Sequence, residues 1–290
     1  MKNIFSETFT LSNGVKIPKL ALGTWPMEDA EAEEAVRQAV KIGYRHIDTA
    51  QAYGNEAGVG RGVLGSGVPR EDLFVTSKVA AENKTYDSAA KSIDESLERS
   101  GLDYFDLMII HSPQPWVEVN QSDDRHFEGN VEAFRAMEDA MKAGKLRAIG
   151  VSNFLKEDID NLIRNCSTKP MINQILAHIS NTPLDLIRYC QDNGIVVEAY
   201  SPVAHGVVLN NPDIAKIAQK YGVSVAQLCL RYCLQLDMVI LPKTANPEHM
   251  KENAALDFTI SDEDMETLKN FEPIKDYGDS SGFPVYGGKI

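Results

Sequence analysis

Short apolar runs alternate along this chain with longer stretches whose apolar residues recur at helical spacing. The runs predict strands at 20–25, 44–48, 73–77, 107–110, 146–151, 171–174, 195–200 and 238–241. Helical patterns follow at 29–42, 55–64, 87–99, 130–142, 156–164, 183–193, 212–220 with 224–236, and 247–253, and a last helix is expected at 261–270. In the first helix Ala35, Val36, Ala39 and Val40 share a face; Asp29 is placed to cap its start and Gly43 to end it. Ser261 is placed to cap the last helix, with Asp262, Glu263 and Asp264 in its first turn. Ahead of the first strand, Phe9-Thr10-Leu11 and Val15-Lys16-Ile17 flank Asn13-Gly14, the dipeptide favoured in a type I′ hairpin turn.

Eight successive strand–helix units predict an α/β fold. Parallel strands need crossover helices, and right-handed crossovers close eight strands into a (β/α)8 TIM barrel. The N-terminal β-hairpin and two extra helices stand outside that repeat. Leu107-Met108-Ile109-Ile110 is apolar throughout, as a strand covered on both faces requires. No linker or low-complexity run divides residues 1–290, so one domain is expected. Three connections exceed an ordinary turn: 112–129, 201–211 and the tail 273–290. Sites in such barrels lie at the C-terminal ends of the strands, which makes these segments candidate pocket walls.

Four titratable residues stand at or just past predicted strand ends: Asp48, Tyr53, Lys78 and His111. A barrel brings them to one rim. A free phenol ionises near pH 10, and a neighbouring ammonium makes it more acidic. Lys78 can supply that charge, and Asp48 can pair with Lys78 and hold it. His111 can orient a substrate oxygen while Tyr53 donates a proton to it as it gains charge. The same lysine suggests a second use, a Schiff base with a carbonyl substrate, although pairing with Asp48 would keep it protonated and poorly nucleophilic. A third reading is a cofactor-binding sensor without turnover.

Charge narrows the partners. Against 29 Lys and Arg stand 42 Asp and Glu, a net charge of −13. That balance disfavours nucleic acid and anionic membrane surfaces. The N-terminus has no signal-peptide core, and no run approaches a transmembrane span. Cys166, Cys190, Cys229 and Cys233 are too few for a disulfide scaffold and lack further soft ligands for zinc. A soluble, cytoplasmic protein with reduced thiols is expected.

Three ordered motifs add to this. Gly43-Tyr44-Arg45-His46-Ile47-Asp48-Thr49-Ala50 with Glu56 and Gly60 resembles the first signature of the aldo-keto reductase family. Lys145-Leu146-Arg147-Ala148-Ile149-Gly150-Val151-Ser152-Asn153-Phe154 is similar to its second, and Leu241-Pro242-Lys243-Thr244 with Glu252-Asn253 to its third. The resemblance covers essentially the whole chain. It implies a barrel that binds NADP(H) without a Rossmann domain and reduces carbonyl compounds, with Tyr53 as general acid and Asp48, Lys78 and His111 as its partners. It also implies Ser152, Asn153 and Gln174 on the carboxamide and Tyr200 stacked on the nicotinamide. Thr24 and Trp25 would lie near cofactor and substrate, Ser201 and Val203 near the pyrophosphate, and Lys243, Thr244, Asn246, Glu252 and Asn253 at the adenosine end. A monomer is expected on the same ground.

One position departs from the family pattern. Where an arginine often faces the adenosine 2′-phosphate, this chain has His249. Arginine is always charged and grips phosphate with a fork; histidine does neither at neutral pH. NADPH is the expected cofactor, with NADH a second choice.

Gly60-Arg61-Gly62-Val63-Leu64-Gly65 matches a dinucleotide fingerprint by its letters but lies inside a helical pattern and follows no strand directly, which argues against a nucleotide role. His46, His126, His178 and His205 are read as structural or solvated. Trp25, Trp116, Phe283 and Tyr286 are candidates for an aromatic pocket lining, with Trp116 expected to touch substrate.

Overall fold

The computed structural model describes residues 3–286. Two short strands, β1 (Thr8–Thr10) and β2 (Lys16–Pro18), form an antiparallel hairpin with Phe9 opposite Ile17. Its turn differs from the expected type I′. Gly14 is left-handed at φ 88°, Asn13 is not, and the Leu11 N–H donates to Val15 O. This is a three-residue loop closed by a left-handed glycine.

Eight parallel strands follow: β3 (Leu22–Gly23), β4 (His46–Asp48), β5 (Phe74–Val79), β6 (Phe105–Ile110), β7 (Leu146–Ser152), β8 (Ile172–Leu176), β9 (Val196–Tyr200) and β10 (Met238–Leu241). They neighbour one another in chain order. Parallel bridges between Leu20 and Ile240 and between Gly23 and Lys243 bring the last strand back to the first, so the sheet closes as a barrel. Its middle strands are buried on both faces; Leu107, Met108, Ile109 and Ile110 have no exposed surface. Burying each such side chain contributes about 1.5–3 kcal/mol. Lys78 and Gln174 lie within β5 and β8 rather than at their last residues, because both strands run on past the predicted ends.

The outer helices are α1 (Asp29–Ile42), α2 (Glu56–Leu64), α3 (Tyr86–Ser100), α4 (Phe127–Lys142), α5 (Lys156–Asn165), α6 (Leu184–Asp192), α7 (Pro212–Lys220), α8 (Val225–Gln235), α9 (Pro247–Ala254) and α10 (Asp262–Lys269). Helices α7 and α10 are the two outside the repeat. Glu28, not Asp29, is the N-cap of α1. The Asp29 carboxylate is drawn instead to the Gly58 N–H, 2.6 Å away, and to Arg61.

The glycines of the fingerprint-like run have a packing cause. A Cβ on Gly60 would lie 1.8 Å from Ser100 O, and one on Gly62 would lie 2.7 Å from Val36 Cβ. Only glycine lets α2 approach α1 and α3 this closely, so the run serves helix packing.

Among the described residues no helix is long and apolar enough to cross a membrane. All four cysteines are free thiols. Residues 278–286 of the tail form short 3-10 turns, and residues 287–290 of the expected tail wall lie outside the described residues.

Candidate active site

Asp48 is the last residue of β4, and Lys78 projects from the neighbouring strand β5. The two meet as a buried ion pair, with Lys78 Nζ 2.5 Å from Asp48 Oδ1. Lys78 Nζ also donates to Thr49 O at 2.8 Å and to the Tyr53 hydroxyl at 3.2 Å. Its three donors thus have three acceptors, the condition for burying an ammonium.

Tyr53 stands on a 3-10 turn, Gln51–Tyr53, that Gly54 ends in left-handed conformation. The turn is pinned from both sides. Gln51 accepts the Ala80 N–H through Oε1 and donates to Ser92 O through Nε2. Asn55 accepts from the Thr49 hydroxyl and donates to Thr24 O and Met27 O. These bonds fix the phenol against the strand ends.

His111 follows β6 directly and is buried. Its ring makes edge contacts with Tyr53, centroids 5.5 Å apart, and with Trp116 at 5.0 Å. Burial, with the Lys78 charge adding to it, holds the imidazole well below its usual range, so it is neutral at pH 7. Among the described residues its Nδ1 is buried without a partner.

The phenol corrects one expectation. Tyr53 is raised, not lowered: burial is the largest cause, and the Asp48 charge adds to it, against the acidifying Lys78 ammonium. Tyr53 keeps some surface on the cavity, but the protein atoms packed around its hydroxyl disfavour the charged form more than Lys78 favours it. Tyr53 therefore rests as a neutral O–H donor. For Lys78, burial alone would lower the ammonium, but attraction from Asp48 and Tyr53 together outweighs it and the net shift is upward.

Beside the ion pair lies a polar layer. Gln174 on β8 donates from Nε2 to Asp48 Oδ2 at 2.8 Å and to Glu198 Oε2 at 2.9 Å. Burial first, and the Asp48 charge second, push the Glu198 carboxyl up to about 8. On the next wall Asn153 donates to His111 O at 3.2 Å and accepts from the Tyr200 hydroxyl at 2.7 Å. Its φ of 63° suits asparagine, which tolerates the left-handed region.

Asp48, Tyr53, His111, Asn153, Gln174 and Tyr200 open on a cavity of about 710 Å3, with Lys78 and Glu198 buried behind them. Of the expected cofactor residues, Thr24, Trp25, Asp48, Ser152, Asn153, Gln174, Tyr200, Ser201, Val203 and Lys243 line it. Thr244, Asn246, His249, Glu252 and Asn253 do not; they belong to the segment leading into α9 and to that helix. Asn246 caps α9 by accepting the Glu248 N–H at 2.9 Å. Tyr53, His111 and Trp116, the other candidates for substrate contact beside Trp25, also line the cavity.

Residues 19–273 match the family model described as the aldo/keto reductase family. The chain belongs to that family and is an oxidoreductase. It is 42% identical over 270 residues to the glyoxal reductase of Bacillus subtilis (strain 168), covering 92% of this chain and 94% of that protein. The aldo/keto reductase of Brucella melitensis superposes with a TM-score of 0.84 at 38% identity, covering 91% and 98% of the two chains. The Bombyx mori aldo-keto reductase, solved in complex with NADP, superposes with a TM-score of 0.83 at 34% identity, covering 97% and 98%.

In this aldo-keto reductase the tail also reaches the cavity. Phe283 packs edge-on against Trp25, centroids 4.7 Å apart, and the Tyr286 hydroxyl bonds Ser201 Oγ at 2.9 Å and His205 Nε2. His205 lines the cavity beside them. Three further histidines make contacts away from the cavity. His46 is buried between Pro18 O and Thr76 Oγ1, His178 bonds the Tyr277 hydroxyl, and His126 pairs with Glu118. Glu198 escaped the sequence reading; its signal was an acid inside the apolar run 195–200.

Proposed function

We propose that this aldo-keto reductase uses NADPH to reduce the carbonyl group of neutral aldehydes or ketones, small dicarbonyls among them, with Tyr53 as general acid. The observation that carries the reading is the Tyr53 hydroxyl on the cavity wall, 3.2 Å from a fully buried Lys78 ammonium and beside a neutral His111.

The cavity fits a nicotinamide nucleotide. Among the described residues no donor reaches Gln174 Oε1, and Gln174 lines the cavity, which suits a carboxamide N–H. Ser152 and Asn153 stand nearby, and the ring of Tyr200 offers an aromatic face. Lys243 and the capped N-terminus of α9 favour phosphate at the other end. Held there, a reduced nicotinamide would supply a hydride to the carbonyl carbon.

The side chains manage the oxygen. Tyr53 donates its proton to it, and the Lys78 ammonium stabilises the phenolate left behind. Asp48 keeps Lys78 protonated and in place. With Nδ1 of His111 lacking a partner, the cheaper tautomer carries its proton on Nε2, which can donate to the same oxygen. Solvent then restores the Tyr53 proton.

The substrate end is lined by Trp25, Trp116, Phe283 and Tyr286, and among the described residues Lys243 at the cofactor end is the only lysine or arginine in the lining. Neutral carbonyl compounds fit these walls better than anionic ones. The glyoxal reductase relative supports dicarbonyls within that class. His249 is exposed, and with Lys243 leaves a weaker 2′-phosphate grip than an arginine would, so NADH is the second choice.

The test is NADPH oxidation, followed by absorbance, over a panel of neutral and carboxylate-bearing aldehydes and dicarbonyls. Turnover of the neutral members is expected. Tight NADPH binding with no turnover would favour a sensor, and borohydride trapping of substrate on Lys78 without nucleotide would favour a Schiff-base enzyme.

A further inference from the structure

The mechanism above makes no use of Glu198, a carboxyl with no exposed surface. Gln174 and Glu198 are register partners on β8 and β9, so their side chains leave the sheet on the same side. Glu198 Oε2 accepts from Gln174 Nε2 at 2.9 Å, while Oε1 is buried without a partner among the described residues. Burying a carboxyl in this way is unfavourable unless something offsets it. Its proton is retained at neutral pH, because burial and the adjacent Asp48 charge both oppose ionisation.

The arrangement has a geometric result. An amide nitrogen has two hydrogens, and here one meets Asp48 Oδ2 and the other Glu198 Oε2. Turning the amide over would set Gln174 Oε1 against the Asp48 carboxylate, which can only accept; with Nε2 so directed, Glu198 Oε2 receives the second N–H and the Glu198 proton belongs on its own Oε1. With the nitrogen held by both carboxyls, Gln174 Oε1 is free for the cavity.

We propose that Glu198 is a positioning residue for the nicotinamide end of the cofactor: its carboxyl, with that of Asp48, clamps the Gln174 amide so that oxygen faces the carboxamide. This rests on the reading of Gln174 as a carboxamide ligand. Asp48 supplies one half of the clamp in any case; Glu198 supplies the half that stops the amide swinging.

Calorimetric titration of the full chain tests it with two probes, NADPH and the adenosine bisphosphate fragment that has no nicotinamide. Glu198→Val removes the acceptor, and Glu198→Gln keeps one. The valine variant should bind NADPH about five- to tenfold more weakly, the loss of one modest hydrogen bond, and the fragment as the wild type does. The glutamine variant should bind NADPH within about twofold of wild type, since one acceptor of the same reach remains. In a Gln174→Ala background the valine change should have no further effect, because its action passes through Gln174.

Unchanged NADPH affinity in Glu198→Val, equal losses for NADPH and fragment, or the same loss in the Gln174→Ala background would overturn the proposal. If Glu198→Val fails to fold, Glu198→Leu, nearer in volume, carries the same expectations. A wild-type chain that binds neither probe would sink the cofactor reading itself, a different outcome from any of these.

Discussion

Lys78 Nζ lies 3.2 Å from the Tyr53 hydroxyl and 4.8 Å from the centre of its ring, so the charge sits beside the oxygen rather than over the ring face alone. The ammonium does not ionise the phenol in the resting protein, since burial outweighs it. Its place is that of a ready counter-charge. Tyr53 stays a donor until a substrate oxygen takes the proton, and the anion then forms next to a cation already held by Asp48.

The first prediction concerns that pair. Lys78→Met leaves Asp48 buried with no opposite charge, and breaking a buried pair on one side costs about 3–5 kcal/mol. Urea unfolding should show a loss of this size, and adding Asp48→Asn should recover most of it. A loss below about 1 kcal/mol for Lys78→Met would mean the pair is far better solvated than its burial indicates.

Much of this was legible in the chain. The apolar runs located all eight barrel strands, and the spacing of Asp48, Tyr53, Lys78 and His111 placed them at one rim. What stayed hidden depends on contacts between distant segments. Asp29 lost its cap role because Gly58 and Arg61, 29 and 32 residues on, bind its carboxylate. The Asn13-Gly14 turn took another geometry because strand register, not the dipeptide, set the loop length. Glu198 looked like an ordinary interruption of a strand, since nothing local says that Gln174 meets it. The direction of the Tyr53 shift depended on burial, which the sequence does not give. Phe283 and Tyr286 became cavity walls only because the tail folds back over the barrel mouth.

Cofactor choice gives the second prediction. His249 is exposed on α9. His249→Arg adds a permanent charge and a forked donor toward a 2′-phosphate. NADPH should bind about tenfold tighter, as a charge-assisted hydrogen bond allows, while NADH changes little. Dissociation constants for both nucleotides check this, and equal changes would remove His249 from the phosphate site.

Stability should depend on pH through two buried groups. His46 is lowered to about 3 by burial, with Lys78 adding to the effect and the Pro18 hydrogen bond opposing it; unfolded it titrates near 6.5. The unfolded state binds the extra proton between these values, so the contribution is present above about pH 6.5 and is lost as pH falls toward 3. Glu198, facing Asp48 and Lys78, titrates near 8 folded and near 4.5 unfolded. Here the folded state holds the extra proton, so stability is lost as pH rises from about 4.5 through 8. Each effect is on the order of a few kcal/mol at full extent. Urea unfolding across this range should show Glu198→Gln gaining stability over the wild type at pH 9 relative to pH 5, and His46→Asn resisting the acid loss. Parallel curves for variant and wild type would show that these groups stay accessible to water.

The most direct measurement is the turnover number of Tyr53→Phe for NADPH-dependent reduction of a neutral aldehyde that the wild type accepts, taken beside its NADPH dissociation constant. The expected result is a fall in turnover of at least about a hundredfold, the size of a lost general acid, with affinity for NADPH within about twofold. Turnover within tenfold of the wild type would contradict the assignment of the proton to this hydroxyl.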